Sequence, residues 1–127
     1  MLKKSEKILI NELIKEESQT IFRLLGITFN NIGCYYKRDS KPKVALKYLK
    51  KSLEIEIYSS NDKISIAGTH LNICAILSFL GKHKQAIKHA KVSIDLLEIS
   101  RTSLQEMIDK KKGIEDEEID QAKEEKH

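Results

Sequence analysis

The chain has 127 residues, of which 33% are charged and 6% aromatic, with a single proline and a formal net charge of +4. That length holds one compact domain or a few stacked helical pairs, and the composition favours helix over sheet. Cys34 and Cys74 build no disulfide framework and neither stands in a CxxC pair, which points to a reducing compartment. The opening Met1-Leu2-Lys3-Lys4-Ser5 leads into Glu12, Lys15 and Glu16, so neither a signal peptide nor a membrane span is expected. A soluble, cytoplasmic protein is the resulting expectation. Abundant Ile and Lys beside only three Arg (Arg23, Arg38 and Arg101) suggest an AT-rich genome.

In chain order, a first amphipathic helix is predicted from Lys4 to about Glu17, with Ile8, Leu9, Leu13 and Ile14 apolar. Thr20 reads as the N-cap of a second helix running to Arg38 through Leu24, Leu25, Phe29, Ile32 and Tyr36. Asp39 and Ser40 read as caps of a third, with Pro42 in its opening turn and Ala45, Leu46, Leu49, Leu53 and Ile55 apolar. Asn61 then caps a fourth helix carrying Ile64, Ala67, Leu71, Ile73, Cys74 and Leu77, which Gly81 stops. A fifth carries Ala86, Ile87, Ala90, Ile94 and Leu96. Thr102 and Gln105 have the capping-box spacing for a sixth, using Leu104, Met107 and Ile108. From Gly113 the chain is acidic, with only Ile114 and Ile119 as large apolar residues, and reads as disordered or as a frayed solvent-facing helix.

Sliding the sequence on itself aligns the two halves at an offset of 41 residues. Thr28 meets Thr69, Asn31 meets Asn72, Ile32 meets Ile73, Ala45 meets Ala86 and Ser52 meets Ser93. Four lysines, Lys41, Lys43, Lys47 and Lys50, meet Lys82, Lys84, Lys88 and Lys91. Such a match is the signature of an internal repeat. It divides the chain into a half-repeat helix (1–18), two repeats (19–59 and 60–100), and a terminal helix with an acidic tail (101–127).

Phe29, Ile32-Gly33, Tyr36, Ala45 and Leu49, with His70, Ile73-Cys74, Leu77, Gly81, Ala86 and Ala90 in the second copy, resemble the tetratricopeptide repeat. Ser52 and Ser93 stand where that motif has Ala, and His70 is a weak substitute for its bulky position. The period of 41 exceeds the usual ~34 and is similar to the extended repeats of kinesin light chains and related polarity adaptors. The resemblance covers Thr20 to Ser100. It implies an all-α fold, a right-handed solenoid of antiparallel helix pairs with five to six helices. It also implies a scaffold that binds other proteins within a multi-subunit assembly, with a cilium or the cytoskeleton as one location.

No enzyme is expected. The chain has no nucleophile elbow, phosphate loop, dinucleotide fingerprint or zincin helix, and neither cofactor nor metal is predicted. Two surfaces are candidates for binding. In extended repeats of this family an Asn at the place of Asn31 and Asn72 faces the concave groove, where an amide can pair with a peptide backbone. Asn30, Arg38, Leu71 and Phe79 join that surface, with Ile27, Cys34 and Ala75 around them. The alternative for the two Asn is bonding to the adjacent repeat or to water. The eight duplicated lysines form a basic ridge on the convex side, suited to tubulin, to an acidic protein surface or to no partner at all. Nucleic acid is disfavoured because the ridge lacks interleaved aromatics and Arg. The carboxylate clamp of heat-shock co-chaperones is disfavoured because Asn30 and Cys34 occupy its places.

Overall fold

Four helices account for nearly all the backbone in the computed structural model, which describes residues 2–59 and 62–126. They are α1 (Leu2–Arg38), α2 (Pro42–Ser59), α3 (Lys63–Phe79) and α4 (His83–Glu125). The sequence pattern predicts five to six. The difference lies at Thr20 and Thr102, which are not N-caps but interior residues of long helices. Each hydroxyl donates to the carbonyl one turn back, Thr20 to Glu16 and Thr102 to Glu98, both at 3.0 Å. A β-hydroxyl bonded in this way is accommodated within a helix rather than capping a new one, and no Gly or Pro stands nearby to break it. The first predicted helix therefore fuses with the second, and the sixth with the fifth. The acidic tail is helical as well, as far as Glu125. Asn61 lies outside the described residues, and Asp62 takes the N-cap of α3, its carboxylate accepting from the Ser65 amide at 3.2 Å.

The helices pair as α1 with α2 and α3 with α4, and the two pairs meet chiefly through α2 and α3, with a smaller contact between α1 and α3. The core is small: Ala45, Leu49, Ile73, Ile76, Leu77 and Ala86, supported by half-buried Tyr36, Leu46, Leu53, Cys74 and Leu80. Nothing in α1 before Gly26, and nothing in α4 after Ser100, has a buried side chain among the described residues. Each long helix is thus half body and half projecting arm.

The offset of 41 recurs in the bonds. Ser52 Oγ donates to the Gly26 carbonyl at 2.7 Å, and Ser93 Oγ donates to the Ala67 carbonyl at 3.0 Å. Both serines are fully buried, and each hydroxyl ties the two helices of its pair together. The turns repeat too. Ser40 has φ 59° and Gly81 has φ 78°, and the amides of Lys41 and Lys82 reach back to the carbonyls of Tyr36 and Leu77 at 2.9 and 2.8 Å. This is the paired-bond helix stop in which a left-handed residue follows the cap. Gly81 is the stop that the sequence predicts. Ser40 does not cap α2; it is the equivalent left-handed stop of α1, held in a backbone region that disfavours a side chain. Ser40→Gly is expected to raise stability by about 0.5–1 kcal/mol, read as a higher urea midpoint at unchanged slope.

Candidate functional site

The structure brings together only part of the predicted concave set. Asn72, on α3, donates to Asn30 Oδ1 at 3.2 Å and lies 3.7 Å from Cys34 Sγ. Asn30 in turn donates to Thr69 Oγ1 at 2.8 Å. Asn72 is therefore engaged with the first repeat, while its counterpart Asn31 is exposed on the far side of α1. The two are sequence equivalents in unlike surroundings, because α1 has no helix pair on the side where α3 meets the first. Arg38 is exposed, its Nε 3.5 Å from the Cys34 carbonyl. Leu71 and Phe79 are exposed, Phe79 to 80%. Phe79 borders a shallow cavity of about 260 Å³ with Lys37, Ser40, Pro42, Ala75 and Ile76.

The lysine ridge is present as spacing. Lys43, Lys47 and Lys50 share one face of α2, and Lys84, Lys88 and Lys91 share one face of α4, all six exposed. Lys41 and Lys82 precede the two helices, and Lys41 lies 3.6 Å from Asp39.

Two features were not predicted. The first is Glu56 on α2, a carboxylate that is only 4% exposed. Its Oε1 lies 2.8 Å from both Ser52 Oγ and Thr69 Oγ1, and its Oε2 accepts from Ser65 Oγ at 3.2 Å. It ties α2 to α3 across the boundary between repeats. The offset hides it, because the equivalent residue is Leu97.

The second is a histidine pair. His70 on α3 and His89 on α4 approach with Nδ1 to Nδ1 at 2.8 Å and ring centroids 5.1 Å apart. Their equivalents in the first repeat are Phe29 and Tyr48, which pack with centroids 6.0 Å apart. An aromatic contact in one repeat is a titratable one in the other, and the aligned sequence holds the signal that could have found it. At 2.8 Å one Nδ1–H donates to the other ring's lone pair. A second proton would set two N–H groups against each other. Burial holds both rings below the ordinary imidazole value. The neighbouring His89 adds to this for His70, against an opposing pull from Glu56; Lys50 adds to it for His89.

The unfolded chain binds protons more readily at these positions, so stability rises with pH and is fully present above the unfolded pKa of about 6.5. It falls as pH drops below that value toward the folded pKa. His70→Phe with His89→Tyr, the first repeat's own pair, is expected to flatten that part of the profile. Thermal midpoints measured from pH 5 to 8 check it, and a wild-type profile already flat there refutes it.

Among the described residues no group of three His, Cys, Asp or Glu is placed to hold a metal ion, and no helix is long and apolar enough to cross a membrane. No protein-family model matches the chain, and comparison with curated proteins finds no match.

Proposed function

We propose that the chain is a non-catalytic protein-interaction scaffold, a short right-handed solenoid of tetratricopeptide-like repeats serving as a structural or adaptor subunit of a larger assembly. One observation carries this reading: large apolar side chains stand exposed in rows along helix faces rather than singly, which marks surfaces made to be covered. The repeated bonds at the offset of 41 are consistent with stacked units that bury a core only together. A cytoplasmic site, with a cilium or the cytoskeleton as one setting, suits such a subunit.

The concave face is the first surface to test. Leu71→Asp with Phe79→Asp changes two exposed residues and leaves the core intact. The tagged double variant is expected to lose a protein that co-purifies stoichiometrically with the wild-type chain and rebinds it from pure components. Equal retention by both forms would reject this face. A reversible peptide groove built on an Asn ladder ranks lower, since Asn72 would have to exchange its bonds to Asn30 and Cys34. The lysine ridge supports a second reading, docking to an acidic surface such as that of tubulin, because six exposed ammonium groups repeat on two helix faces. Association whose salt dependence survives Lys47→Glu with Lys88→Glu would dismiss it.

A further inference from the structure

The boundary between the two repeats predicts what covers the free faces of this molecule. Across that boundary Ser65, Thr69 and Asn72 of α3 meet Glu56, Asn30 and Cys34 of the first repeat. Shifted back by 41, the α3 set becomes Leu24, Thr28 and Asn31 on α1; shifted forward, the first-repeat set becomes Leu97, Leu71 and Ala75. All six are exposed. Leu24 is 54% and Leu97 40% accessible, where their equivalents Ser65 and Glu56 are half-buried and buried. One side of the molecule therefore carries the socket of the internal interface and the other side carries its plug. Each is more apolar than the version already joined inside the chain.

We infer that the chain binds a second copy of itself head to tail, the α1 face of one molecule docking on the α4 and α3 face of the next. This rests on the scaffold reading and names the partner. The arms extend that contact and add one level of opposite charges. In such a stack Leu97 of one copy stands beside Leu24 of the next, as Glu56 stands beside Ser65 within the chain. From there the α4 arm and the α1 arm run side by side, antiparallel, one residue back for each residue forward. The α1 stripe is Lys7, Ile10, Ile14, Glu17, Ile21 and Leu24; the α4 stripe is Leu97, Arg101, Leu104, Ile108, Lys112 and Glu115. The α1 stripe keeps the alternating three-and-four spacing of a two-helix seam, and the α4 stripe keeps it but for two successive steps of four at Ile108. Matched level by level to within one residue, Leu97 meets Leu24, Arg101 meets Ile21, Leu104 meets Glu17, Ile108 meets Ile14, Lys112 meets Ile10 and Glu115 meets Lys7. Two levels are apolar on both sides, the Lys7–Glu115 level pairs opposite charges, and the other three set a charged side chain against an apolar one along which its stem can lie. Long helical arms of this kind are marginal alone in water and gain their stability from such packing.

Because plug and socket are different surfaces, the contact is heterologous, giving open filaments or closed rings rather than a symmetric pair. Sedimentation velocity on the full chain tests this with two variants, Ile14→Glu with Leu24→Glu on the plug and Leu97→Glu with Ile108→Glu on the socket. The changed residues are exposed, and circular dichroism verifies that the helices persist. The wild type is expected to grow in mass with concentration. Each variant alone is expected to be monomeric, and an equimolar mixture of the two to form a dimer through the one intact plug and the one intact socket. A monomeric wild type, a dimer of either variant alone, or a mixture that stays monomeric overturns the inference. If a variant loses helicity, the milder pair Lys7→Glu and Glu115→Lys replaces it: each weakens assembly alone and mixing restores it, whereas no restoration overturns the pairing. Asn31→Leu is expected to tighten assembly, since its amide would face Leu71 and Ala75. A chain that stays monomeric yet retains a different protein on Leu71 and Phe79 refutes self-assembly while leaving the scaffold reading in place.

Discussion

Glu56→Ala is expected to lower stability by about 2–3 kcal/mol, more than any surface change in this molecule. The carboxylate's oxygens join Ser52, Ser65 and Thr69, and they do so where α2 meets α3. Its truncation removes the polar contacts to Ser52, Ser65 and Thr69 and leaves a cavity lined by hydroxyls. Ser52 keeps the Gly26 carbonyl and Thr69 keeps the Ser65 carbonyl at 3.3 Å, which holds the loss below that of a fully orphaned network. Glu56→Gln retains one carbonyl acceptor and offers an amide to Ser65, so a loss under about 1 kcal/mol is expected. Urea unfolding followed by circular dichroism separates the two. If the pairs are joined chiefly by apolar contact, Ala and Gln will shift the midpoint equally.

The second large effect is at Gly33. A Cβ there would sit 2.7 Å from Leu49 Cγ and 2.9 Å from Leu49 Cδ2, with the Ala45 carbonyl oxygen at 3.2 Å. Leu49 is fully buried and has no room to retreat. Gly33→Val is therefore expected to destabilise by about 3 kcal/mol, and Gly33→Ala by about 1–2 kcal/mol after the helix-propensity gain is set against the clash. Gly68→Ala is the control: nothing lies within 4 Å of its added carbon, so propensity alone acts and a gain of about 0.5–1 kcal/mol is expected. The second repeat suggests the rescue. The places of Gly33 and Leu49 are held there by Cys74 and Ala90, bulk having moved from one helix to the other. Gly33→Ala combined with Leu49→Ala should cost less than the two single changes added, a coupling that a double-mutant cycle reads.

These sites mark how far the sequence could be read. The offset of 41 was legible because several equivalent positions do the same work in both copies. Ser52 and Ser93 tie their helices alike, and Ser40 and Gly81 end theirs alike. Helix boundaries at Thr20 and Thr102 were not legible, since a threonine hydroxyl serves an N-cap or bonds back within a helix, and only the neighbouring backbone decides which. Where the copies differ, the repeat was silent. Glu56 answers to Leu97 and His70 to Phe29, so the bridging carboxylate and the imidazole pair emerged only in three dimensions. The Asn pair was half legible: its position follows from the repeat, but Asn72 has a first repeat to bond to, and Asn31 stands on a face with none.

The unbroken course of α4 has a mechanical consequence. From Ser100 to Glu125 it carries no left-handed residue and no proline, and Gly113 is helical with open space around it. The arm is a lever about 37 Å long with its fulcrum where α4 packs on α3. A rotation of about 5° at that fulcrum moves the tip by about 3 Å. The part-buried His70–His89 contact lies within the fulcrum, so a small rearrangement there would be magnified at the far end of the rod.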